Sequence, residues 1–203
     1  MLTVHRLSCT RPPQRLFAAL EFEVLPAEIV QVVGANGSGM STLLHILMGL
    51  FLPDQGEVRW QGELIGARES SYAGALTYIG HKAGVKNNLT VLENIQLAAQ
   101  LAGGAKGLGW ESILAHFHLL HLQDTLCQKL SAGQRQRVGL TRLLLTEAPL
   151  WILDEPFTAL DRETRILLQA LIVEKSRQGG MVIFTSHHAL DWGEGVILKE
   201  VRL

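Results

Sequence analysis

The sequence predicts an α/β domain with a mostly parallel central sheet and an inserted helical lobe. Short β-rich runs alternate with longer amphipathic segments, the pattern of strands joined by crossover helices. Hydrophobic residues make up 47% of the 203, and mean hydropathy is slightly positive, which suits a sheet buried on both faces. No uninterrupted apolar run approaches the ~20 residues that a membrane-spanning helix needs. The buried sheet accounts for the composition.

Residues 28–33 read as a buried strand that ends at Gly34, and residues 41–48 as a helix stopped by Gly49 and Pro53. Residues 58–60 and 76–79 are expected as further strands. Strand signals then vanish, and helices are expected over 91–101, 111–119 and 132–145. A flexible turn, Gly103-Gly104-Ala105-Lys106-Gly107, separates the first two. Strands resume over 150–153 and 181–184, with a helix over 162–177 between them. The expected layout is a single domain over 1–203, its α/β body in 1–81 and 146–203 and its helical lobe in 82–145.

A net charge of −1 gives no broad attraction for nucleic acid or anionic lipid. Residues 1–14 hold Arg6 and Arg11 but no apolar segment of the kind a secretion signal carries. Cys9 and Cys127 lack a metal or redox spacing. These features fit a cytoplasmic protein.

The first chemical motif is Gly34-Ala35-Asn36-Gly37-Ser38-Gly39-Met40-Ser41-Thr42, between a strand and a helix. Its glycines let the backbone curl so that successive N–H groups point at phosphate oxygens, and the helix adds its positive end. Ser41 is placed to give a hydroxyl to Mg²⁺. A lysine is expected at position 40, but Met40 stands there, with similar reach and no charge or donor. Backbone groups and Mg²⁺ can still hold a nucleotide; stabilisation of the charge that develops during phosphoryl transfer suffers most. Taken alone, this could be a glycine-rich turn.

The apolar run 150–153 ends in Asp154 and Glu155. Ligands bind at such strand ends in open α/β sheets. Asp154 can hold Mg²⁺, and Glu155 can deprotonate an attacking water. About twenty residues earlier, Ser131-Ala132-Gly133-Gln134 opens a helix as an N-cap and a ready anion site. An exposed acidic turn and a capped surface helix would explain each segment separately, but not their order.

In that order the pieces GANGSGMST, LSAGQ, WILDEP, TALD and a strand followed by TSH resemble the ATP-binding cassette (ABC) ATPases across nearly the whole chain. The resemblance implies a P-loop NTPase fold, with an antiparallel β element near the N-terminus beside the mostly parallel sheet. It implies ATP and Mg²⁺ as ligand and cofactor, with Ser41 and Asp154 on the metal and Glu155 and His187 as catalytic residues. It places Ser131, Ala132, Gly133 and Gln134 against the ATP of a second copy in a homodimer, and makes Asp161 the residue that communicates between sites. His81 and Lys82 fall where the family usually has a glutamine that couples to membrane partners. The family's base-stacking aromatic, expected well before the phosphate loop, is not assigned by the sequence; Arg11 is near the right place, and Phe17 reads as core.

Further details resemble the branch that serves haem export in cytochrome c maturation. They are Trp60-Gln61-Gly62, residues 78–86, residues 89–94, residues 151–158 and residues 179–183. This branch implies a peripheral subunit on the cytoplasmic face of the bacterial inner membrane, paired with itself and with integral transporter subunits (CcmB/CcmC-like). Haem is not expected to bind this subunit directly, and no nucleic-acid partner is expected. Met40 predicts impaired hydrolysis. The alternatives are a nucleotide-binding or structural subunit that does not hydrolyse, or the ATPase of another small ABC exporter.

Overall fold

A computed structural model describes residues 1–66, 71–103, 109–186, 192, 196 and 198–203. The chain forms two compact units. One comprises residues 1–78, 148–156 and 169–203, the other 79–147 and 157–168. Residues 157–168, placed in the α/β body on the sequence pattern, thus group with the helical unit.

The first unit holds two sheets. β1 (Leu2–Arg11) and β2 (Gln14–Val24) form an antiparallel pair, β1 also pairs with β4 (Gln55–Trp60), and β4 with the short β5 (Glu63–Leu64). The second sheet has the order β6-β7-β8-β3-β9. Its strands are β3 (Ile29–Val33), β6 (Leu76–Ile79), β7 (Leu150–Leu153), β8 (Met181–Thr185) and β9 (Leu198–Arg202). The β7–β8, β8–β3 and β3–β9 pairs are parallel. Every residue of β7 and β8 is buried, as expected of strands covered on both faces.

Alternate residues of the parallel strands, Val30 and Val32, Leu150 and Ile152, Met181 and Ile183, join one apolar core. Leu43, Leu44 and Leu47 of helix α1 (Met40–Leu47) and Leu2, Val4, Leu7 and Trp60 of the antiparallel sheet complete it. The helix starts and ends one residue earlier than its expected 41–48, with Met48 as its C-cap and Gly49 following at φ +74°. A short helix α2 (Tyr72–Ala75) adds Tyr72, whose hydroxyl donates to the Leu47 carbonyl at 2.6 Å.

Strands β1 and β2 escape the sequence pattern because they are bulged. The register slips between Val4 and Leu7 and between Leu7 and Cys9, and Arg6 and Ala19 both take φ +47°. The buried side chains of β1 therefore break the two-residue period by which a strand is read.

The second unit is helical. Its helices are α3 (Val91–Leu101), α4 (Trp110–His116) and α5 (Ala132–Leu140). A capping box of Thr90 and Glu93 starts α3 at the expected residue. Helix α4 stops three residues short of the expected 119, with His118 in the left-handed region at φ +54°. The expected 132–145 helix tightens to 3₁₀ over Thr141–Leu144. There the Thr141 hydroxyl donates back to the Val138 carbonyl at 2.7 Å. Helix α6 (Arg162–Arg177) starts and ends as expected. No described helix is long and apolar enough to cross a membrane.

Asn94 organises the loop that leads into α3. Its Oδ1 accepts from Lys86 N–H at 2.8 Å, and its Nδ2 faces the carbonyls of Lys86 and Thr90 at 3.0 and 2.9 Å. Its Nδ2 also faces Cys127 Sγ at 3.2 Å, while burial pushes the Cys127 thiol pKa up. Asn94→Ala removes all of these side-chain bonds at once, so it is expected to lower the unfolding free energy by about 2–3 kcal/mol. A urea midpoint unchanged from the parent chain would contradict this role.

Candidate functional site

Three neighbouring parallel strands, β3, β8 and β7, bring their C-terminal ends together. From β3 runs the glycine loop of residues 34–39, and α1 begins at Met40. Gly37 and Gly39 take φ +80° and +102°, and a Cβ on Gly39 would stand 2.8 Å from Leu16 Cβ. A Cβ on Gly34 would stand 2.3 Å from Ser38 Oγ. The loop thus needs glycine at both ends, for space at Gly34 and for backbone conformation as well at Gly39.

A cavity of about 370 Å³ opens over this loop. Asn36, Gly37, Gly39, Met40, Ser41 and Thr42 line it from the loop and helix, Arg11 and Leu16 from the first hairpin, and Glu155 from the end of β7. Ser41 Oγ donates to Asp154 Oδ1 at 3.3 Å, and Thr185 Oγ1 donates to the same oxygen at 2.9 Å. The Glu155 N–H donates to Thr185 Oγ1 at 2.8 Å, with Glu155 itself at φ +48°. Asp154 is 4% exposed.

The residues fit a magnesium nucleotide. Ser38 Oγ, on the glycine-rich loop, is buried with no hydrogen-bond partner among the described residues. A hydroxyl beside a buried carboxylate is a hard oxygen pair of the kind Mg²⁺ takes, leaving its remaining positions to water and phosphate. Met40 is the exception. It is 7% exposed, belongs to the apolar core and offers the cavity no hydrogen-bond donor.

Arg11, noted near the position of a stacking residue, does line the cavity, with its guanidinium 5.4 Å from the centre of the Phe51 ring. Phe17 is buried in the core, as read. Leu16, Phe51 and Thr185 were not singled out from the sequence, since no local pattern ties them to the glycine loop. His187 lies outside the described residues.

In the helical unit, Ser131 caps α5 in a capping box with Gln134, at 3.1 Å from Gln134 N–H and with Gln134 Oε1 accepting from Ser131 N–H at 2.8 Å. A Cβ on Gly133 would stand 2.8 Å from the Ala159 carbonyl, so glycine is required for this close approach. Ala132 lines a second cavity of about 510 Å³ together with His81, Lys82, Arg135 and Thr158. Asp161 Oδ1 accepts from Thr164 N–H at 2.8 Å at the start of α6. Hydrogen bonds from the Thr164 side chain and backbone hold the Asp161 carboxyl below the usual carboxylate range, with Arg137 and His118 adding to the effect.

That depressed pKa gives a sign. The stabilisation from the Asp161 cap is complete above the unfolded carboxyl pKa and is lost as pH falls through the lower folded value. Asp161→Asn is therefore expected to flatten the fall of Tm below about pH 4. A parent and variant with parallel Tm curves down to acid pH would refute it.

Residues 17–158 match the ABC transporter family. The chain is 44% identical over 191 residues to the cytochrome c biogenesis ATP-binding export protein CcmA of Methylococcus capsulatus, covering 94% of this chain and 92% of that protein. Among solved structures it resembles an ATP-binding subunit of an ABC transporter at TM-score 0.78 and 28% identity, covering 92% and 80% of the two chains. It shares the fold of a dimeric ATP-binding cassette in a post-hydrolysis state bound to ADP and Pi, at TM-score 0.78 and 22% identity, covering 93% and 88%.

Proposed function

Because the chain belongs to the ABC transporter family and to its cytochrome c biogenesis ATP-binding branch, we propose that it is the ATP-hydrolysing subunit of the haem exporter of cytochrome c maturation. It works as a homodimer on the cytoplasmic face of the bacterial inner membrane, docked to integral transporter subunits. The observation that carries the hydrolytic reading is that Ser41 and Glu155 line one cavity over the glycine loop, with Asp154 hydrogen-bonded to Ser41 beside it. The 44% identity over nearly the whole chain carries the choice of branch.

In this reading the backbone N–H groups of residues 34–42 and the Ser38 hydroxyl hold the phosphates. Ser41 and Asp154 would hold Mg²⁺, which when bound neutralises charge on the β- and γ-phosphate oxygens. Glu155 takes a proton from the water that attacks the γ-phosphorus, the bond to the β–γ bridging oxygen breaks, and ADP and phosphate leave. Ser131, Ala132, Gly133 and Gln134 serve the ATP held by the second copy, Asp161 links the two sites, and His187 contacts the γ-phosphate. Arg11, supported on Phe51, presents a flat cation against which the base can pack. His81 and Lys82, both exposed, take the coupling role.

A second reading has an observation of its own. Met40 is packed in the core where the family's lysine would reach phosphate, which favours a subunit that binds nucleotide and turns it over slowly. Steady-state ATP turnover of the parent chain, Met40→Lys and Glu155→Gln separates the two. Met40→Lys is expected to raise turnover at least ~100-fold, and Glu155→Gln to abolish what the parent has. A parent chain as fast as Met40→Lys would overturn the role given to position 40. Arg11→Ala is expected to weaken ATP binding by about 1–3 kcal/mol in a calorimetric titration, and an unchanged Kd would remove it from the base site.

A further inference from the structure

Thr185 closes β8 and is fully buried, at 0% exposure. A threonine hydroxyl has one hydrogen to donate and lone pairs to accept with. Here the hydrogen goes to Asp154 Oδ1 at 2.9 Å, and the oxygen accepts the Glu155 N–H at 2.8 Å. Both partners lie on the neighbouring strand end, 31 and 30 positions away in sequence. One side chain thus bonds the carboxylate that faces Ser41 and the backbone that carries Glu155.

We infer that Thr185 is a positioning residue for phosphoryl transfer, holding the Asp154 carboxylate and the Glu155 backbone as one hydrogen-bonded unit. The inference rests on the nucleotide reading given above. Two donors, Ser41 and Thr185, converge on a single carboxylate oxygen, which fixes how Asp154 is turned before any metal arrives. When the Ser41 hydroxyl turns to Mg²⁺, Thr185 is the donor that keeps the orientation. A carboxylate held this way meets the metal without first giving up rotational freedom.

The Glu155 backbone has a separate need for the same hydroxyl. At φ +48° this glutamate sits in the left-handed region, a conformation disfavoured for a residue other than glycine. Its N–H is taken up by Thr185. The strain turns the chain at the strand end, and Glu155 lines the cavity. Valine at 185 would keep the shape of threonine but remove both bonds at once.

The test uses the full chain and calorimetric titration with ATP, in EDTA and over a range of Mg²⁺. In the unsubstituted chain Mg²⁺ tightens ATP binding. Thr185→Val is expected to raise the half-maximal Mg²⁺ concentration for that tightening by ~10-fold or more, while binding in EDTA is retained. Thr185→Ser, which keeps the hydroxyl, is expected to follow the unsubstituted chain. On the Met40→Lys background, Thr185→Val lowers kcat by ~10-fold or more and leaves KM for ATP in place. Thr185→Ala gives the same readings should valine prevent folding. A Thr185→Val that matches the unsubstituted chain in Mg²⁺ dependence overturns the inference, as does a Thr185→Ser that behaves like valine. An unsubstituted chain that binds no ATP, or binds it with no response to Mg²⁺, overturns the nucleotide reading instead.

Discussion

The hydrogen bonds that converge on the Asp154 carboxylate tie together three strand ends. Ser41 reaches it from the helix that follows β3, Thr185 from the end of β8, and Asp154 itself ends β7. These strands are consecutive neighbours in the parallel sheet, so their C-terminal ends share one edge. A carboxylate 4% exposed is costly to bury without hydrogen bonds, and the two hydroxyls supply them at Oδ1. The glycine loop, the cavity and Glu155 all take their places relative to this point.

Met40 separates two contributions that a phosphate loop makes, one from its backbone and one from the side chain at position 40. The loop's backbone conformation, set by Gly37 and Gly39, does not depend on the side chain at position 40. Backbone N–H groups are donors whichever side chain stands at position 40. Methionine there lacks the cationic donor that would follow the charge onto the leaving oxygen. The methionine side chain instead joins Leu43 and Leu44 in the apolar core, a stable environment for a thioether and a poor one for an ammonium group.

Much of the site was legible because its chemistry is written in short contiguous segments. The loop 34–42, the Asp154-Glu155 pair and the Ser131 cap each combine a local conformation with a functional group, and the structure has those conformations where they were expected. The elements with a regular period or a capping box, α3, α6 and β7, were located to the residue. The strands β1 and β2 were not, because their bulges move buried residues off the two-residue repeat. Helices α4 and α5 ended early for equally local reasons, a left-handed His118 and a back-bonded Thr141, which hydrophobic periodicity does not register.

The sequence by itself determined the chemistry available: a phosphate-binding loop, two acids at a strand end, a capped helix, and a methionine in place of a cation. These are local properties, since dihedral preference and hydrogen-bonding capacity belong to a residue and its neighbours along the chain. Only the tertiary structure decided that Ser41, Asp154 and Thr185 share one hydrogen-bonded cluster, that Arg11 lies over Phe51 at the same cavity, and that Met40 is drawn into the core. Such placements depend on which strands become neighbours and in what register. That choice is made by burial of the whole sheet, and no short segment contains it.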